Sequence, residues 1–265
     1  MVDLKKFENL NKNKEYLDSY VDALRVFGAF KNAQKLKRKS RSFIPKSKDI
    51  CILDAACGFG LETAQLCNLR NVKKVYGVDI SKDFIKYAKK NYGNPKIKYE
   101  IGDINDLKFK NNIFDFTREE RVLLYLEDAG KVIKELKRVT KKGGILSFIE
   151  PDLKYRGLNL SPKSLVRKVI DYDSEYKIKN SRIGPELNGL LKENNLTILH
   201  KEKAVIDFTD LNLSYDYNLT LIENAYAGKA ITGAERNSLK KELKQRFKNK
   251  TLKADVLYYL YVAKK

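Results

Sequence analysis

Short apolar runs alternate with three- and four-residue apolar repeats across the first 150 positions, and that alternation predicts strands separated by helices. Ile50-Cys51-Ile52-Leu53 is a continuous apolar run that ends at Asp54 and a glycine-containing turn, as expected of a buried parallel strand. A helix from about Leu61 to Cys67 follows, then a second strand, Val75-Tyr76-Gly77-Val78-Asp79. Ser81 is placed to cap the next helix, which carries Phe84, Ile85 and Ala88. Ile97, Tyr99 and Ile101 alternate strictly in a third strand ending at Gly102-Asp103, and a short fourth strand lies around Ile113 to Thr117. Asp128 caps a helix bearing Val132, Ile133, Leu136 and Val139; Gly143-Gly144 then turns the chain into a fifth strand, Ile145 to Ile149. Such an order gives right-handed βαβ units and a sheet covered on both faces.

The flanks are more helical. Ahead of the sheet, Tyr20, Val21, Leu24 and Phe27 recur from Leu17 onward as an amphipathic helix, and Pro45 closes that region. Beyond it, Ser161-Pro162 begins a helix through Val166, Val169 and Ile170, and Pro185 begins one carrying Leu187, Leu190 and Leu191. A strand runs from Leu196 through about Phe208, and Val256 to Val262 forms a last one. Between them, Thr232-Gly233-Ala234-Glu235 supplies a capping box for a basic helix. The chain therefore divides into an N-terminal helical lid at 1–48 and a core at 49–265 with a helical cap insertion at about 209–250.

Charge and cysteine content narrow the setting. A formal net charge of +20 invites a nucleic-acid partner, since clustered Lys and Arg neutralise phosphates. The lysines are nevertheless spread over most predicted helices, and the densest stretch, Lys31 to Lys48, reads first as a solvated basic face. Cys51, Cys57 and Cys67 are odd in number and form no Cys-x-x-Cys pair, so neither a disulfide framework nor a metal site is expected. The N-terminus has no signal-peptide stretch, and no apolar run approaches the roughly 18 residues of a membrane span. A cytoplasmic protein is expected.

The candidate chemistry lies at the strand ends. In a sheet of this kind ligands sit beyond the carboxyl ends of the strands, which gathers Asp54, Asp79, Asp103 and Glu150 around one crevice. Gly58 and Gly60 let the backbone approach a ligand where a Cβ would intrude. A nicotinamide dinucleotide would want a third glycine for its pyrophosphate, and Thr63 stands there instead. Asp54 before the turn suits a ligand with ammonium and sulfonium charge, and Asp79 can accept both hydroxyls of a ribose.

These motifs, in this order, resemble the class I S-adenosylmethionine-dependent methyltransferases. The Asp-x-Gly-Cys-Gly-x-Gly loop of that family is matched by Asp54-Ala55-Ala56-Cys57-Gly58-Phe59-Gly60, with Ala56 in place of the first glycine. Asp79, followed by Ile80, matches its acidic ribose-binding residue, and Gly102-Asp103-Ile104 resembles the loop that reads the adenine edge. Arg138 to Gly144 matches the family's Arg-Val-x-x-Pro-Gly-Gly segment with Lys142 in place of proline, and Glu120-Arg121-Val122-Leu123 and Glu150-Pro151-Asp152 are similar to the branch holding quinone-biosynthesis and natural-product methyltransferases. The resemblance implies a Rossmann-like α/β seven-stranded sheet of order 3-2-1-4-5-7-6, last strand antiparallel, with S-adenosyl-L-methionine held by Asp54, Ala56, Gly58, Gly60, Asp79, Ile80, Asp103, Ile104, Glu120 and Arg121.

Methyl transfer from a sulfonium is an in-line displacement, so positioning is the main task and a base is optional. If one is needed, Glu120, Tyr125, Glu150 and Asp152 are the candidates, each equally open to a capping or ion-pair role. His200 falls outside the crevice, Cys57 reads as a small buried residue, and Tyr172, Tyr217 and Tyr226 read as cap core before acceptor pocket. Thr117-Arg118-Glu119-Glu120 replaces the Asn/Asp-Pro-Pro-aromatic motif of enzymes that methylate nucleobase or glutamine amino groups. A small-molecule acceptor at O, N or C is the first expectation. An RNA or protein substrate docked on the basic surface is the second, and a binding protein without catalysis the third.

Overall fold

The computed structural model describes residues 21, 25, 28–176, 178–209 and 212–265. Of the helix expected from Leu17, only Val21 and Arg25 fall among these, both helical; Leu17, Tyr20, Leu24 and Phe27 lie outside the described residues. Eight helices and seven strands follow in the order α1 Lys31–Arg41, β1 Ile50–Ala55, α2 Leu61–Cys67, β2 Val72–Asp79, α3 Lys82–Asn91, β3 Ile97–Ile101, β4 Phe114–Glu120, α4 Ala129–Val139, β5 Thr140–Leu158, α5 Lys163–Tyr176, α6 Ile183–Glu193, β6 Thr197–Asp207, α7 Asn212–Ala227, α8 Gly233–Lys248 and β7 Ala254–Lys264. The strands form one sheet of order β3-β2-β1-β4-β5-β7-β6. β1 to β5 pair in parallel, and β7 inserts antiparallel between β5 and β6.

Local chemistry places the helix starts. Ser81 accepts the backbone N–H of Phe84 at 3.3 Å and Asp128 that of Lys131 at 2.8 Å, so α3 and α4 begin where short oxygen-bearing side chains satisfy the first amides. Thr232 and Glu235 close the capping box of α8. The sheet centre is apolar on both faces, with Phe114, Phe116 and Phe148 fully buried, each worth about 1.5–3 kcal/mol of burial.

Three expectations need correction. β4 does not stop at Thr117: it continues through Arg118, Glu119 and Glu120, because β1 and β5 flank it and Arg118 meets Asp54 of β1. β5 does not stop at Ile149 but runs 19 residues to Leu158, since β7 keeps pairing with it past the end of β4, with a register shift between Asp152 and Arg156. Ile101, an inward position by alternation, is 53% exposed because β3 is the sheet edge.

A second apolar cluster stands apart from the sheet core. Leu160, Val169, Ile170, Ile222, Leu239 and Leu243 pack together where α5, α7 and α8 meet. No helix among the described residues is long and apolar enough to cross a membrane.

Candidate active site

The strand order reverses between β1 and β4, and a cavity of about 460 Å³ opens at the carboxyl ends of the strands there. One end is built from the β1–α2 turn, Ala56 to Phe59, with Asp79 and Ile80 after β2 and Gly102 to Asn105 after β3. The other is walled by Leu153, Asp173, Phe208, Tyr217, Val256 and Tyr258. Between them stand Lys37, Glu62, Arg118, Glu120, Arg121 and Tyr125. A second, shallower groove of about 610 Å³ beside Lys168 and Tyr226 holds no comparable cluster of charge.

The turn is strained where it meets the cavity. Ala56 has φ 55, a left-handed conformation that costs an L-residue about 1–2 kcal/mol and that a glycine adopts without strain. Gly58 has φ +54, and a Cβ placed on it meets nothing within 4 Å, so its bare backbone faces open space. Gly60 is different: at φ +87 its Cβ would stand 2.7 Å from the Tyr99 hydroxyl and 2.8 Å from Ala88. The second glycine therefore serves the packing of α3 and β3 on the turn; it does not make room for a ligand.

Asp79 presents a buried carboxylate to the cavity. It is 7% exposed, and its Oδ2 accepts the Gly58 N–H at 2.8 Å and its Oδ1 the Ser81 N–H at 2.9 Å, leaving further lone pairs on each oxygen. Burial pushes its carboxyl up to about 6 against the pull of those amides. Asp103, more exposed, accepts from the Asn105 backbone and side chain at 2.8 Å, and the backbone beyond it turns inward at Ile104.

Asp54 departs from expectation. It is 1% exposed and does not line the cavity: Oδ1 accepts from Arg118 at 2.6 Å and Oδ2 from the Thr63 hydroxyl at 2.6 Å. Burial raises its pKa, while Arg118 and Thr63 oppose the rise. Thr63, where a dinucleotide fold has glycine, is thus a partner for the carboxylate. Arg118 also holds Glu120 at 2.6 Å, and Lys37 stands 3.1 Å from Glu120 and 3.7 Å from Glu62. Burial works to raise Glu120, yet Lys37, Arg118 and Arg121 hold it down at about 2.

Glu150 and Asp152 are buried but do not line the cavity. Glu150 Oε1 accepts the N–H groups of Val122 and Leu123 at 2.9 and 2.6 Å, fixing the loop after β4, while Asp152 accepts from Lys154. Glu119 is fully buried beside Glu150; burial and that neighbour push it well above the carboxylate range. Arg121, in the same loop, has φ 57. Cys57 lines the cavity with its thiol pushed up by burial, which leaves it inert as a nucleophile. His200 pairs with Glu202 at 3.3 Å on β6, outside the cavity. Tyr217 is on the wall, whereas Tyr172 stacks on Tyr176 and Tyr226 lies under Arg236.

The sequence reading misses Lys37, Arg118, Asp173 and Tyr258. Two carried a signal: Lys37 shares the buried stripe of α1 with Ala33, Leu36 and Ser40, and Asp173 falls on the stripe of Val166, Val169 and Ile170 in α5.

Comparison with known proteins agrees with this geometry. Residues 53–148 match the family model described as "Methyltransferase domain". A ubiquinone biosynthesis O-methyltransferase of Pelagibacter ubique is 32% identical over 172 residues, 60% of this chain and 67% of that protein. The O-methyltransferase resE of Aspergillus sclerotiorum is 25% identical over 67% of this chain and 64% of its own length. The chain spans about half to two thirds of the length of the curated relatives it matches. In fold, it is similar to a Haemonchus contortus phosphoethanolamine N-methyltransferase solved with S-adenosylhomocysteine, at TM-score 0.62 and 16% identity over 100% of this chain and 61% of that one. With the sheet order, the strand-end carboxylates and these matches together, the chain belongs to the class I S-adenosylmethionine-dependent methyltransferases.

Proposed function

We propose that this methyltransferase moves the methyl group to an oxygen of a small, largely apolar acceptor. The observation that carries the reading is the second half of the cavity, whose wall is Leu153, Phe208, Tyr217, Val256 and Tyr258, an apolar and aromatic surface of the kind that buries a small ligand. O-methyltransferase relatives support oxygen as the receiving atom. The basic run from Lys31 to Lys48 contributes only Lys37 to the cavity, and that lysine is already paired with Glu120.

In this reading the cofactor supplies a methyl group on an already activated sulfonium, and the acceptor's hydroxyl proton leaves to bulk solvent as its oxygen takes that group. Asp79 accepts the ribose hydroxyls, Gly58 leaves room for the ligand against its backbone, and Asp103 with Ile104 meets the adenine edge. Glu120 stays ionised beside Lys37 and Arg118; a carboxylate held at about 2 is a poor base, so it orients and balances charge. Tyr125 and Arg121 stand where the two halves of the cavity join, and the residues around them exclude water from the line of transfer. Helix α1 acts as the lid and the α7–α8 insertion as the cap that shapes the acceptor end.

Isothermal titration with S-adenosylhomocysteine, followed by transfer of radiolabelled methyl from S-adenosylmethionine to a panel of phenols and quinols, tests the reading. Saturable cofactor binding with labelled ethers as products is expected. Labelling of RNA or protein instead, lost steeply with added salt, would overturn it.

A further inference from the structure

The acceptor end carries one carboxylate with an open oxygen. Asp173 lies on α5, is 6% exposed and lines the cavity. Its Oδ2 accepts from Arg156 Nη1 at 2.8 Å, while Oδ1 has no hydrogen-bond partner among the described residues. Arg156 follows the register shift in β5, its side chain 4% exposed, and its guanidinium stands 5.7 Å from the centre of the Tyr217 ring. The carboxylate is thereby fixed from behind, with one oxygen turned over to the ion pair and the other left at the wall.

Charge balance in the cavity speaks against an anionic acceptor. Lys37 is 3.1 Å from Glu120, Arg118 is 2.6 Å from both Asp54 and Glu120, and Arg156 is 2.8 Å from Asp173. Arg121, the remaining cation of the cavity lining, stands 3.7 Å from Glu120, so each of these cations already faces a carboxylate. An unsatisfied acceptor oxygen on an otherwise apolar wall rejects molecules that cannot donate to it, because a buried polar group left without its partner is penalised.

We propose that the acceptor is a neutral, hydroxyl-bearing ring compound whose hydroxyl donates to Asp173 Oδ1, and that Arg156 positions that carboxylate. This rests on the small-molecule reading above. Asp173 then selects the protonated phenol over the phenolate, and over any analogue lacking the hydroxyl.

The test uses the full chain saturated with S-adenosylhomocysteine, with 4-nitrophenol and 4-nitroanisole as probes. Calorimetry with S-adenosylhomocysteine comes first: no binding there sinks the methyltransferase-site reading itself and not this proposal alone. With the cofactor product bound, 4-nitrophenol is expected to bind about tenfold or more tightly than 4-nitroanisole. Its phenolate absorption band is expected to shrink on binding, because a carboxylate facing the hydroxyl raises the probe's pKa. Asp173→Asn, which can also donate, is expected to abolish that shrinkage while leaving cofactor affinity unchanged. Since that change leaves Arg156 buried without its carboxylate, the paired Arg156→Met, Asp173→Asn variant serves if the single one unfolds. Equal affinity for the two probes, no binding of either, or a growing phenolate band in the wild-type protein would each overturn the proposal.

Discussion

Lys37, on the helix that precedes the sheet, places its ammonium 3.1 Å from the Glu120 carboxylate at the end of β4. The pair ties α1 to the cavity wall, and Ser40 adds a second tie through a 2.6 Å hydrogen bond to Ser147 on β5. Because Glu120 is held at about 2 in the fold against an ordinary 4.5, its ionisation favours the folded state. That contribution is complete above about pH 4.5 and disappears as pH falls through about 2, a change on the order of 3 kcal/mol. Urea denaturation at stepped pH should show this acid limb, and Glu120→Gln should flatten it. In Lys37→Met the limb should move to higher pH; an unchanged limb would separate the ammonium from the carboxylate's titration.

Asp79 has the opposite sign. Its carboxyl rises to about 6, so the apo protein loses stability as pH climbs from about 4 to about 6 and the buried group ionises. If the ribose needs the ionised form, affinity for S-adenosylhomocysteine should fall by about tenfold between pH 7 and pH 5. Calorimetry at the two pH values checks it. Asp79→Asn should bind weakly at both, without the slope.

The two glycines of the turn should separate stability from binding. Gly60→Ala drives a Cβ into Tyr99 and Ala88 and should cost about 3 kcal/mol, from left-handed strain plus overpacking. Gly58→Ala meets no atom within 4 Å and should cost only about 1–2 kcal/mol of strain, yet weaken cofactor binding by about tenfold. Thermal melts with calorimetry distinguish the two; comparable binding losses without a stability difference would contradict the assignment.

Glu119 is buried beside Glu150, and burial and that neighbour push its carboxyl well above the ordinary glutamate range. A carboxyl raised in the fold binds its proton more tightly than in the unfolded chain, so stability declines as pH rises above the ordinary glutamate range. Glu119→Gln removes the share of that decline that belongs to Glu119, leaving the share of Glu150, whose carboxyl burial pushes up to about 7. The variant's advantage over wild type should therefore grow as pH rises above the ordinary glutamate range in denaturant titrations, and a constant difference would contradict the raised carboxyl.

What the sequence makes legible is local. Ser81, Asp128 and Thr232 each announce a helix within three residues, and the sheet order follows from the motif resemblance. Charge inside β4 is not legible, because Arg118 is explained by Asp54, 64 residues earlier, and Glu119 by Glu150 on the next strand. A string of Thr-Arg-Glu-Glu looks like a loop until those partners are known. Asp54 likewise reads as a ligand contact until Arg118 and Thr63 occupy both its oxygens. The acceptor end is the least legible, since Asp173, Tyr217 and Tyr258 come from three elements spread over 86 positions of the chain.

The apolar residues of α5, α7 and α8 close on one another, away from the strand that ends at Asp79 and the turn that holds Gly58. Drift in that outlying cluster can reshape the wall beside Asp173 while the nucleoside end keeps its form. In the proposed reading, choice of acceptor and grip on the methyl donor are thus under separate physical control, and a lineage can exchange one without rebuilding the other.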